Sequence, residues 1–139
     1  MRHPDGHVRE IVGLHGLVWY PPAEELRYPM IQASFRIVAP PRKRDEILEV
    51  LLCLKGPTEV TRGCRSCRIL QDADDANVLT CLVQWDTEED VADHLRSERF
   101  RRLLPYIEMS VEPPQVDFST INRVRGIEFI VEVLSTKAQ

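Results

Sequence analysis

The run Ile31 to Val38, IQASFRIV, alternates strictly: Ile31, Ala33, Phe35 and Ile37 fall on one face, Gln32, Ser34 and Arg36 on the other. Period two specifies a strand, and its apolar face has to be covered by something else in the chain. With 139 residues, 43% of them hydrophobic, there is room for one domain with a real core, so the cover comes from nearby segments. The residues after Pro40-Pro41 supply it. Ile47, Leu48, Leu51 and Leu54 stand at helical spacing, and Lys55-Gly56-Pro57 reads as a helix stop. A further turn over PTEVTR can carry that helix on, kinked, before Gly63.

Cys64 to Gln71 and Val78 to Asp86 are two more apolar segments, and the DADDAN between them marks an antiparallel hairpin. Thr87, followed by Glu88, Glu89 and Asp90, opens a second helix, since a hydroxyl cap and acids suit its positive end. Val91, Ala92 and Leu95 face inward. Ser97-Glu98 restarts the helix and puts Phe100, Leu103 and Leu104 on a buried stripe before Pro105. QVDFSTI, after Pro113-Pro114, reads as a fourth strand. The order β-α-β-β-α-β is the ferredoxin-like split βαβ unit, so the expected class is α+β. That unit spans 30–122. Residues 1–29 form an N-terminal extension with a short helical or extended piece near Val8 to Trp19. It is expected to dock on the core and to be dispensable for its folding. Residues 123–139 form a C-terminal helical appendage, with Ile127, Ile130, Val131 and Leu134 at helical spacing.

A formal net charge of −4 gives no basic field for nucleic acid, and the run Arg96, Arg99, Arg101, Arg102 reads as a solvated helix face. No apolar run reaches the roughly 18 residues of a membrane span, and charged residues interrupt any signal-like stretch at the N-terminus. A cytoplasmic protein with four reduced cysteines is expected. Cys64 and Cys67 invite a metal or redox reading. On a regular strand, however, residues three apart point to opposite faces about 10 Å apart, too far for a disulfide. Cys53 and Cys81 belong to other elements, so neither that disulfide nor a zinc site is expected.

Together these segments resemble a known family. RGCRSCRILQDADDANVLTCLVQWDTEEDVADHLRSERFRRL is similar to the antibiotic-biosynthesis-monooxygenase domain of the dimeric α+β barrel superfamily. The matching points are Gly63-Cys64 opening the second strand, Asp72 and Asn77 flanking the hairpin and Trp85 closing the third strand. Thr87 with Glu88-Glu89, His94-Leu95 and Ser97 to Phe100 follow in order. The resemblance covers about 31–120.

It implies a homodimer with sheets packed face to face, and in some members a cofactor-free oxygenation of quinols or polyphenolic aromatics by O₂. The dimer is also suggested by apolar side chains on both faces of the strands, which the helices of one unit cover on one side only. Chemistry without cofactor or metal needs a dry pocket, a group to share the phenol proton and donors for the developing oxyanion. Trp85, whose indole N–H can donate, and His94, the only histidine inside the domain, are the candidate catalytic residues. Phe35, Cys81, Val83, Val91 and Phe100 are the candidate pocket for a small aromatic substrate or ligand. Cys81 and Val91 stand where polyketide-tailoring members carry an asparagine and a tyrosine, and Cys67 where many relatives carry an aromatic residue. A non-catalytic dimeric module that binds a small molecule or partner is the alternative. Haem degradation is more distant, because those relatives use an asparagine on the first strand and the matching place here falls at or beside Phe35.

Overall fold

The computed structural model describes residues 27–137, together with the backbone of 11–12 and 18–19. The elements are β1 (Ile11–Val12), β2 (Val18–Trp19), β3 (Met30–Val38), α1 (Arg44–Glu59), β4 (Cys64–Gln71) and β5 (Val78–Trp85). They continue with α2 (Glu88–Leu95), α3 (Glu98–Glu108), β6 (Gln115–Ile121) and α4 (Ile127–Lys137). The chain divides into two compact units, one of them Pro29–Ile121 and the other drawn from the segments on either side of it. In the second unit β1 and β2 pair antiparallel, so the apolar piece of the N-terminal extension is extended. Where that extension docks lies outside the described residues.

In the first unit four antiparallel strands are ordered β4-β5-β3-β6, the ferredoxin-like α+β arrangement. Full-length pairing of β3 with β5 aligns Phe35 with Cys81, Ala33 with Val83 and Ile31 with Trp85, so the apolar sets of both strands share one face. Helices α1, α2 and α3 pack on this face. Trp85, Ile47, Leu79 and Val83 are the largest fully buried side chains. Within this unit the helices leave β6 half open: its Val116 and Phe118, on the same face as Phe35, remain 44% and 48% exposed.

The further turn past Pro57 is helical, carrying α1 to Glu59, whereas α3, expected to stop before Pro105, runs through it to Glu108. The carbonyls these two prolines free belong to Cys53 and Arg101, both exposed, so water can take the lost bond. Buried Thr58 and Ile107 anchor the turns beyond. The buried stripe of α3 is Phe100, Leu103 and Ile107, and Leu104 is exposed rather than buried, one position off that stripe. The caps fall where expected: Thr87 accepts from the Asp90 amide and Ser97 from the Phe100 amide.

The strand β4 carries a bulge. Cys64 pairs with Trp85 but Ser66 pairs with Gln84, so Arg65 is an extra residue, held by an ion pair to Asp86 at 2.6 Å. The bulge overturns the opposite-face expectation for Cys64 and Cys67. Cys67 pairs with Val83, and Val83 and Trp85 share a face, so both cysteines point to the core side.

Candidate active site

The core face of the sheet and the helices above it enclose one small cavity. Phe35, Cys67, Cys81 and Val83 form its floor, and α1 gives Leu51, Leu54, Lys55 and Thr58. Helix α2 gives His94, and α3 gives Arg99, Phe100 and Leu103. About 20 Å³ is open to the centre of a water molecule, room for one water. The two phenyl rings, Phe35 and Phe100, lie 5.5 Å apart.

His94 reaches this cavity because it stands three residues after Val91 on the buried side of α2. Its carbonyl is fixed by the Ser97 hydroxyl at 2.6 Å and the Ser97 amide at 3.0 Å, which lock the α2–α3 corner. The imidazole packs over the Trp85 indole on one side, with centroids 4.8 Å apart, and meets Phe100 edge-on at 5.5 Å on the other. The last turn of a helix favours a cation. Burial outweighs that here and, with the Arg99 charge beside it, lowers the His94 pKa to about 4. The imidazole is therefore neutral at physiological pH, and its Nδ1 has no hydrogen-bond partner.

Two more buried nitrogens in this cluster are orphaned, Nε1 of Trp85 and Nε of Arg99. Buried polar atoms are nearly always satisfied, so Nδ1 of His94 and Nε of Arg99 on the cavity, with Nε1 of Trp85 behind them, are polar atoms left free to meet a ligand. The thiols are quieter. Burial pushes Cys64 up to about 12; Cys81 is raised by its hydrogen bond to Cys67 and by burial, and that same bond lowers Cys67. Among the described residues no group of three metal-ligating side chains converges.

Of the residues singled out in the sequence, Phe35, Cys81, Val83, His94 and Phe100 lie on this cavity. Trp85 stands behind His94 rather than on the cavity wall, and Val91 lines a separate depression with Ile31, Leu95 and Phe118. Sequence reasoning missed Lys55, Thr58 and Arg99. The first two lay at or beyond the expected helix stop. Arg99 was absorbed into the solvated arginine run, although its place just before Phe100 and four before Leu103 puts it beside the buried stripe.

By sequence, the profile of the family described as antibiotic biosynthesis monooxygenase matches residues 30–105. No curated protein matches the chain. A Mycobacterium tuberculosis structure is similar, with a TM-score of 0.64 at 18% identity over 70% of this chain and 99% of its own. A Nitrosomonas europaea protein named as a candidate antibiotic biosynthesis monooxygenase gives 0.64 at 17% identity, over 73% and 98%. A Bordetella bronchiseptica protein of the same description gives 0.57 at 22%, over 70% and 99%. At such identities the likeness establishes the shared fold.

Proposed function

The chain belongs to the antibiotic biosynthesis monooxygenase family, and from that premise we propose that it oxygenates a quinol-type or polyphenolic aromatic with O₂, without a cofactor, in the cavity beside His94. The observation that carries this reading is the buried His94, neutral and with an unpartnered Nδ1, beside a small, mostly apolar cavity. A ring hydroxyl placed there donates to His94. Alone, an imidazolium beside Arg99 is disfavoured. The phenolate formed by the same proton transfer balances the imidazolium, so the transfer creates an ion pair rather than a bare cation. The electron-rich anion passes one electron to O₂, and the radical pair combines into a peroxide. The peroxide takes the imidazolium proton back from His94, and loss of the hydrogen on the attacked carbon with cleavage of the O–O bond leaves a carbonyl oxygen on the product and releases the other oxygen as water. Arg99 adds a fixed positive charge at the cavity that favours an anionic substrate.

Trp85 acts as a positioning residue, holding the imidazole plane through the stack. The resting cavity is too small for an aromatic ring, so a ligand has to displace side chains that line it. We read the working unit as a homodimer, supported by the uncovered Val116 and Phe118 of β6. Among the described residues no helix is long and apolar enough to cross a membrane. Four free thiols and net negative charge suit action in the cytoplasm.

Oxygen uptake with hydroquinones and anthrones, compared between the parent, Trp85→Phe and His94→Ala, tests the proposal. Substrate-dependent uptake that falls in both variants supports it. Tight ligand binding without uptake favours the non-catalytic binding module.

A further inference from the structure

We propose that the aromatic ligand of this cavity carries a carboxylate and that Arg99 selects it, an inference that rests on the quinol-type reading of the site. Among the described residues Arg99 is a cation without an anion. Its neighbours on the same helical stretch are all paired: Arg96 with Asp93 at 3.3 Å, and Arg101 and Arg102 with Glu98 at 3.7 and 3.8 Å. Lys55, the other cation on the cavity, is held by Glu59 at 2.8 Å. Among the described residues, no carboxylate pairs with Arg99.

What Arg99 does have is a neutral partner. Its Nη2 donates to the Thr61 hydroxyl at 2.6 Å, and that hydroxyl donates in turn to the Pro57 carbonyl at 2.9 Å. Thr61 therefore holds the guanidinium in place without neutralising it, and leaves Nε, which is buried, with no acceptor. A guanidinium does not shed its proton, so the charge stays, and an unpaired charge at the edge of an apolar enclosure is costly. An incoming carboxylate removes that cost by taking Nε–H and a neighbouring Nη–H in the bidentate geometry that the two groups share. One free guanidinium matches a singly charged acid. A phosphate would need more positive charge than the site offers once Lys55 is committed to Glu59. The phenyl rings of Phe35 and Phe100 supply the apolar wall for the ring that carries the acid.

Gentisate and gentisyl alcohol are the test pair: hydroquinones of nearly the same shape that differ in one carboxylate. Binding to the full chain is measured at pH 7 without oxygen, by quenching of tryptophan fluorescence, so no turnover is needed. The parent should bind gentisate roughly tenfold more tightly. Arg99→Met should abolish the preference, Arg99→Lys should keep a reduced one, and Arg101→Met, which removes an exposed paired arginine, should leave it unchanged. Should Arg99→Met fail to fold, the parent and Arg99→Lys still decide. Equal affinities in the parent, no binding of gentisate, or a preference that survives in Arg99→Met would overturn the proposal. A preference for gentisate with no oxygen uptake from any quinol would leave Arg99's role standing and remove the oxygenase reading. Uptake with equal affinities would do the reverse.

Discussion

The His94 imidazole lies over the Trp85 indole with the planes inclined by 37°, and each ring carries a buried nitrogen that bonds to nothing. An aromatic pair of this kind contributes roughly 0.5–1.5 kcal/mol beyond its buried area. It also fixes the histidine where charging it is difficult. The tryptophan that anchors the core thus orients the histidine, while burial and the Arg99 charge keep it neutral.

That neutrality has a pH signature. The folded-state pKa of His94 is about 4, against about 6.5 unfolded, so between these values the unfolded chain binds more protons. Its contribution to stability is complete above pH 6.5 and is lost as pH falls towards 4, by roughly 3 kcal/mol in all. Urea midpoints at pH 7 and pH 5 should therefore fall further for the parent than for His94→Gln. The same fall in both proteins would place the titration on other groups.

Gly63 and Gly56 should respond in opposite ways to alanine. Gly63 has φ 87°, and a Cβ there would collide with the Asp90 side chain, which accepts from the Thr87 hydroxyl at 2.9 Å. Gly63→Ala should lose at least ~1–2 kcal/mol and lower the melting temperature. Gly56 lies inside α1 with open space around it, so Gly56→Ala should gain up to ~1 kcal/mol. A stable Gly63→Ala protein would contradict the geometry assigned to the turn into β4.

The thiols should alkylate in a fixed order. Cys53 is exposed and reacts first; Cys64 is half-buried and held protonated, so it follows slowly at pH 7.5; Cys67 and Cys81 wait for unfolding. Timed alkylation read by peptide mass should show this sequence and four adducts after denaturation. Early labelling of Cys67, or only two adducts in the denatured chain, would contradict it.

The strands and helices were legible because periodicity is a local property: IQASFRIV and the Ile47–Leu54 spacing each state their own conformation. Pro105 misled, and Pro57 left the end of α1 open, because sequence shows the lost hydrogen bond but not where the freed carbonyl points. At Pro57 and Pro105 it belongs to an exposed residue, and the helix continues. The bulge at Arg65 was illegible for a related reason. One extra residue leaves no compositional mark, yet it turns Cys64 to the face of Cys67. His94, Cys81, Val83, Phe35 and Phe100 could be named from the family pattern and from strand parity. Arg99 was lost in the arginine run, since sequence puts it beside the buried stripe but does not show that no carboxylate among the described residues pairs with it.

The central claim is that this chain inserts oxygen from O₂ into an aromatic substrate with its own side chains alone. The most direct measurement supplies heavy-isotope O₂ to metal-free, flavin-free protein with a quinol or anthrone substrate, and follows product mass and peroxide together. The account predicts one labelled oxygen per product molecule, no stoichiometric hydrogen peroxide, and loss of labelled product in His94→Ala. Unlabelled quinone formed with an equivalent of peroxide, or no product at all, would contradict it.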